Sequence, residues 1–238
     1  MQPLTVQSIT KCFGSVKAVT NLSFNVESSE VVGIIGPNGA GKTTTIKMIL
    51  GLLQPDQGEI RLFGKQIDDP AVRQRVGYMP ESPTFYSNLT GRELLGYVGE
   101  LFGMGKADKA ARSKALLERV GLEDAGSRQL KTYSKGMLQR ICLAQALVNS
   151  PELLFLDEPL DGLDPLGRIQ MKEILLELKA AGTSVVFNSH ILSDVEAVSD
   201  RIAIMDNGKL LTLERTSTLV PKNKTLEDVF IATITHAN

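Results

Sequence analysis

The chain has 238 residues, of which 42% are hydrophobic and 22% charged, and a net charge of −1 at pH 7. That length accommodates one large domain or a core with a subdomain, and the near-neutral balance lacks the basic excess of a nucleic-acid-binding surface. Cys12 and Cys142 have neither metal-ligand spacing nor the density of a disulfide scaffold, so both are expected as reduced thiols in a cytosolic protein. The opening MQPLTVQSIT lacks the basic head and apolar run of a secretory signal. Apolar runs such as Val31–Ile35 are strand-sized, well short of the roughly 18 residues that span a bilayer. The chain is therefore expected to dock against a membrane at most, not to cross one.

Residues 1–30 read as short strands, with LTVQSIT and NLSFNVES each alternating apolar and polar positions. VVGIIG is a continuous apolar run, the pattern of a parallel strand buried on both faces. Residues 42–52 have helical character, QPDQG supplies a turn, and short strands follow around 59–63 and 75–78. Between residues 89 and 149 the strand signal disappears. Leu94, Leu95, Val98 and Leu101 recur at helical spacing, as do Leu116, Leu117 and Val120. Ser134 is placed to cap a helix running through Ile141, Leu143, Ala144 and Leu147. After Pro151 comes LLFLDEP, an apolar strand ending in two carboxylates. Residues 165–181 then form a helix, TSVVFNSH a strand, and IAIMDNGKLL a hairpin with an Asn-Gly turn. The tail, TLEDVFIATI, reads as a short amphipathic helix. Strands alternating with helices predict an α/β fold with a mainly parallel sheet, interrupted by a helical insertion.

GPNGAGKTT, residues 36–44, matches G-x-x-x-x-G-K-[ST] between an apolar strand and a helix. Gly36, Gly39 and Gly41 let the backbone wrap phosphate oxygens, with Pro37, Asn38, Ala40 and Thr44 completing the loop. Lys42 can reach the β- and γ-phosphates, and the Thr43 hydroxyl can bind Mg²⁺. Asp157 and Glu158 end a strand at the edge where open α/β sheets place their ligands. Asp157 can hold the metal, and Glu158 can polarise the water that attacks the γ-phosphate. His190 follows the next strand on the same edge, where a neutral imidazole could donate to the γ-phosphate. YSKGMLQR poses a further question, because Ser134, Lys135 and Gly136 open a helix N-terminus suited to a second anion.

The order of glycine-rich loop, YSKGMLQR, LLFLDEP, DGLDP and NSH resembles the nucleotide-binding subunit of ABC transporters over essentially the whole chain. The resemblance implies an α/β P-loop ATPase core with N-terminal antiparallel β strands, comprising residues 1–88 and 151–215. It also implies an inserted helical subdomain at 89–150, a tail at 216–238, and ATP and Mg²⁺ as ligands. Residues 36–44 are then the Walker A loop, Asp157 the Walker B aspartate, Glu158 the catalytic base and His190 the switch histidine. Phe13 resembles the aromatic that stacks on adenine, although spacing alone equally allows a core phenylalanine. Asp164 in DGLDP resembles the loop aspartate that crosses between subunits.

YSKGM resembles the signature usually written LSGGQ, which in that family caps the γ-phosphate held by a partner chain. Ser134, Lys135, Gly136 and Met137 would then serve a second nucleotide-binding subunit, expected as an identical chain, with two ATP molecules sandwiched head to tail. Lys135 and Met137 depart from the family's glycine and glutamine. Glu81 stands where relatives usually have a glutamine that contacts Mg²⁺ and the transport subunit, and Leu160 where many have threonine. YSKGM and the Tyr-x-Pro-Glu variant are similar to the branch that partners ABC-2-type permeases, mostly in export. FYSNLTGRELL and KTYSKGMLQRICLAQAL are similar to a subgroup serving copper-dependent maturation of nitrous-oxide reductase. The implied location is cytoplasmic, peripheral on the inner face of the membrane. A soluble ABC ATPase acting on nucleic acid or ribosomes, and a regulatory module that binds nucleotide without hydrolysis, are the competing readings. The first usually brings tandem cassettes, coiled-coil inserts or zinc ligands, and the second would lack Glu158 or His190.

Overall fold

The computed structural model of the chain describes residues 2–237. Strands β1 (Leu4–Phe13), β2 (Val16–Val26) and β4 (Gln57–Leu62) form an antiparallel sheet in the order β2-β1-β4. The second sheet contains β3 (Val31–Ile35), β5 (Val76–Met79), β6 (Leu153–Asp157), β7 (Ser184–Asn188), β8 (Arg201–Asp206) and β9 (Lys209–Arg215). Its order is β5-β6-β7-β3-β8-β9, and all pairings are parallel except the β8-β9 hairpin. That hairpin turns at Asn207 and Gly208, both at positive φ, as a tight turn matched to strand twist requires.

Every residue of β3, β6 and β7 is buried, which explains why these strands are apolar throughout instead of alternating. Alternate side chains enter two different cores. Val32, Ile34, Phe155 and Val186 meet the antiparallel sheet and helix α1 (Lys42–Ile49) through Ile46, Met48 and Ile49. Val31, Ile35, Leu154, Leu156, Val185 and Phe187 meet the helices on the opposite face. Complete burial of Phe155 and Phe187 contributes on the order of 2–3 kcal/mol each.

The remaining helices are α2 (Pro70–Arg73), α3 (Gly91–Leu101), α4 (Lys106–Arg119), α5 (Lys135–Ala146), α6 (Pro165–Ala180), α7 (Leu192–Val198), α8 (Thr216–Leu219) and α9 (Leu226–Ala237). A capping box between Thr90 and Glu93 opens α3. Helices α4 and α5 close each other's ends. Arg112 on α4 donates to the carbonyls of Leu147 and Val148, while Arg140 on α5 donates to those of Val120 and Gly121. These are the carbonyls a helix leaves without internal partners at its C-terminus.

Two local expectations change. Helix α1 stops at Ile49, short of residue 52, because Gly51 adopts a left-handed φ of +68° and turns Leu52 into solvent. Leu101 shares the helical spacing of Leu94 and Leu95 but is exposed, although Val98 and Gly99 of the same turn are packed or buried. Helices α2, α7 and α8 were not expected, although Asp69 followed by Pro70 is a start signal, with Asp69 accepting from the Ala71 amide.

Candidate active site

Three parallel strands deliver their carboxyl ends to one edge of the sheet. Beyond β3 lies the glycine-rich loop, beyond β6 lie Asp157 and Glu158, and beyond β7 lie Asn188 and His190. The loop, Asp157, Glu158 and Asn188, together with Phe13, Lys17, Ala18 and Glu81, line a cavity of about 530 Å³, and His190 stands just outside that lining. Placement of a ligand site at this edge follows from the strand order, because chains leave neighbouring strands there in different directions.

Two of the loop's glycines, Gly36 and Gly41, are required sterically, whereas Gly39 has open space around it and is favoured by its φ of +81°. A Cβ on Gly36 would stand 2.3 Å from the Met205 carbonyl oxygen, and one on Gly41 would stand 2.5 Å from that of Ala18. Gly41 also has φ +96° and caps α1 without a side-chain hydrogen bond, so the first amides of α1 open toward the cavity. Such an N-terminus favours an anion. Lys42 Nζ donates to the carbonyls of Gly36 and Pro37 at 2.7 and 3.0 Å. Burial lowers its pKa, while the negative charges of Glu158, Asp157 and Glu81 oppose that shift. A cation held beneath an anion-shaped loop and facing three carboxylates suits a triphosphate accompanied by a metal.

Thr43 Oγ1 donates to Asp157 Oδ1 at 3.3 Å, and Glu81 lines the same cavity. This set of hard oxygen donors fits Mg²⁺, which takes one or two carboxylates and leaves its other positions to water and phosphate oxygens. Tyr78, beside the site, has its phenol pushed up to about 12 by burial and then by the charge of Asp157. It therefore remains a neutral hydroxyl.

Glu158 occupies a left-handed backbone conformation, φ +52°, a strained choice for a glutamate that persists only when its surroundings enforce it. Asn188 supplies much of that enforcement. Its Nδ2 donates to Asp157 Oδ1, and its Oδ1 accepts from the Glu158 amide at 2.9 Å. The side chain is only 1% exposed, so this clamp works away from water. No role was expected of Asn188 from the sequence. The available signal was an amide placed at the end of an otherwise apolar, fully buried strand. The His190 ring sits on Glu158, with Nδ1 2.7 Å from Oε2.

Phe13 is 50% exposed and lines the cavity; it is not a core side chain. Asp164 caps α6, accepting from the Gly167 amide at 2.7 Å. Ser134 caps α5 through the Met137 amide, and Lys135 ion-pairs with Asp161 at 2.7 Å. Ser134, Lys135, Gly136 and Met137 do not line the nucleotide-sized cavity of their own chain. The structure thus gathers the glycine-rich loop, Glu81, Asp157, Glu158 and His190, and leaves the YSKGM helix start outside that group.

A family model described as ABC transporter matches residues 19–161, more than half of the chain. The chain is 52% identical over 198 residues to an uncharacterised ABC transporter ATP-binding protein of Synechocystis, covering 82% of this chain and 56% of that protein. It is 41% identical over 206 residues to the bacitracin transport ATP-binding protein BcrA of Bacillus licheniformis, covering 85% and 66%. A solved structure of the ATP-binding subunit of an ABC transporter is similar at a TM-score of 0.89 and 31% identity, covering 97% of this chain and 99% of that one. The chain spans a little over half the length of its cyanobacterial relatives.

Proposed function

The chain belongs to the ABC transporter family, and from that premise we propose that it is the ATP-hydrolysing subunit of an exporter. In this role it closes head to tail with a second, identical chain around two ATP molecules and drives a separate ABC-2-type permease. The observation that carries the reading is the separation of two anion-binding elements. One lies inside the 530 Å³ cavity; the other, at Ser134, caps a helix outside it and is free to serve a partner's nucleotide.

In this mechanism Phe13 stacks on adenine, and the loop amides with Lys42 hold the β- and γ-phosphates. Thr43, Asp157 and Glu81 hold Mg²⁺, which when bound neutralises charge on the phosphate oxygens. Glu158 accepts the proton of the attacking water, and His190 fixes that carboxylate and senses the γ-phosphate. Ser134 and Gly136 contact the γ-phosphate of the partner's ATP, with Lys135 and Met137 beside it, and Asp164 lies on the segment that crosses to the partner. ATP therefore acts as the adhesive, and mass action ties dimerisation to its concentration.

The helical segment 89–150, inserted between core segments 1–88 and 151–215, supplies the contact with the permease. Exposed Tyr86 and Tyr97 meet edge to face at 6.5 Å close to the Glu81 loop, and support docking there. The subunit itself is then peripheral on the cytoplasmic face of the membrane. Among the described residues no helix is long and apolar enough to span a bilayer. Transport by the bacitracin relative supports export. Copper-dependent enzyme maturation rests on the FYSNLTGRELL and KTYSKGMLQRICLAQAL stretches alone and is the narrower alternative.

The deciding experiment is sedimentation of the Glu158→Gln chain with and without Mg·ATP, beside the same chain also carrying Ser134→Ala. The expected result is an ATP-dependent dimer weakened by the serine change. A chain that binds ATP yet stays monomeric would refute the shared-site mechanism.

A further inference from the structure

One face of α5 grips the segment that contains Glu158 and Asp161 at two points. Lys135 Nζ lies 2.7 Å from Asp161 Oδ2, and Gln139 Nε2 donates to the Glu158 carbonyl oxygen at 2.8 Å. Positions i and i+4 stand one above the other on a helix, so the two contacts form a single clamp. Gln139 is 4% exposed, which keeps its hydrogen bond out of competition with water. The Lys135 stem crosses Gly162 so closely that a Cβ there would meet Cε at 2.4 Å. The pair also holds the Asp161 carboxyl below the ordinary aspartate range.

The clamp acts on a strained residue. Glu158 keeps its left-handed backbone because its amide is fixed by Asn188 and its carbonyl by Gln139. Loss of the Gln139 contact would let the peptide after Glu158 relax, and the carboxylate would turn with it. A small error in the placement of a catalytic group is enough to slow chemistry strongly.

We propose that Gln139 and Lys135 are positioning residues for Glu158. The helix that begins at Ser134 thereby sets the catalytic carboxylate of its own chain, and a nucleotide engaged at its N-terminus by the partner is felt at that carboxylate. This inference rests on the preceding reading of Glu158 and Ser134.

The test is steady-state ATP hydrolysis by the full chain carrying Gln139→Met, Lys135→Glu, Asp161→Lys, or the last two combined. Affinity for a trinitrophenyl-ATP probe and melting temperature are measured on each. Gln139→Met is expected to lower kcat about tenfold and to leave KM and probe affinity unchanged, while the single reversals of the exposed Lys135–Asp161 pair are expected to lower kcat about two- to threefold. The combined reversal restores kcat, because the ion pair is rebuilt with opposite polarity. If it stays as slow as Lys135→Glu alone, Lys135 acts on phosphate directly and the clamp is overturned. An unchanged kcat in Gln139→Met, whose side chain has similar volume but no donor, overturns it as well. A wild-type chain that binds no probe would refute the preceding reading itself, a result distinct from normal binding with indifferent variants.

Discussion

His190 Nδ1 lies 2.7 Å from Glu158 Oε2, and the His190 amide donates to the same oxygen at 3.2 Å. One carboxylate oxygen is therefore held twice by one residue, which leaves the other for the water of the proposed mechanism. The carboxylate is also largely shielded, while the imidazole is mostly exposed. A group that bridges solvent and a shielded base is well placed to report whether phosphate is present.

His190→Ala is accordingly expected to lower kcat by about a hundredfold while leaving nucleotide affinity intact. His190→Gln, which keeps a donor, should retain an intermediate rate. Single-turnover hydrolysis beside equilibrium binding separates the two quantities. A loss of binding equal to the loss of rate would show His190 to be a simple ligand of ATP.

Lys42 is expected to affect binding and stability in opposite directions. Its pKa is lowered, burial outweighing the attraction of Glu158, Asp157 and Glu81. A lysine whose folded pKa lies below its unfolded value destabilises the fold while charged. The penalty is present below the folded pKa and disappears as pH rises through the unfolded value. Lys42→Met should therefore leave the nucleotide-free chain melting at the same temperature or higher at neutral pH, a difference that closes under alkaline conditions. ATP affinity should fall by about ten- to a hundredfold, the loss of charge-assisted hydrogen bonds to phosphate. Scanning calorimetry and a binding titration, each across pH, test the pair; a destabilised variant that still binds ATP would contradict both statements.

The residues of the site divide by how locally they are specified. The glycine-rich loop was legible because strand, loop and helix are contiguous, and the loop's function lies in its own backbone. Asp157 and Glu158 were legible for the same reason, as a polar end to an apolar strand. Phe13 was ambiguous, since a strand residue can face core or cavity and only the assembled sheets decide which. Asn188 and Gln139 could not be assigned, because each acts through partners on other elements, Asn188 on Asp157 and Glu158 and Gln139 on the Glu158 carbonyl. Lys135 stood out as a departure from the family's glycine; its cis partner, Asp161, emerged only from the folded geometry. In the fold, the long buried strands were visible in their apolar runs. The short helices α2, α7 and α8 carry too few residues to set up a periodicity.

Arg112 provides a stability test remote from the nucleotide. Its guanidinium is partly buried, and burial lowers its pKa, yet it closes the C-terminus of α5 through the Leu147 and Val148 carbonyls. Arg112→Met keeps much of the stem's packing, takes the guanidinium from the Val148 carbonyl and leaves the Leu147 carbonyl with the Ser150 amide alone. The expected loss is about 1–3 kcal/mol, read from a shifted urea midpoint at unchanged slope. ATP affinity should not change. A similar loss is expected for Arg140→Met at the end of α4, and the two together should not add, because each arginine holds the helix from which the other projects.

Cys142 offers a chemical reporter of the same region. Burial in the core beneath α5 pushes its thiol up to about 12, and the thiolate is the reactive form. At pH 8 the native chain should therefore leave Cys142 unmodified by iodoacetamide, and mass spectrometry should find no label on the peptide that contains it. Denaturation in urea should return ordinary reactivity. Because α5 is held at its end by Arg112, the Arg112→Met chain should label Cys142 faster than wild type under native conditions, through local opening of the helical region. Rapid labelling of Cys142 in the untouched native chain would place the thiol at the surface and contradict the packing described for α5.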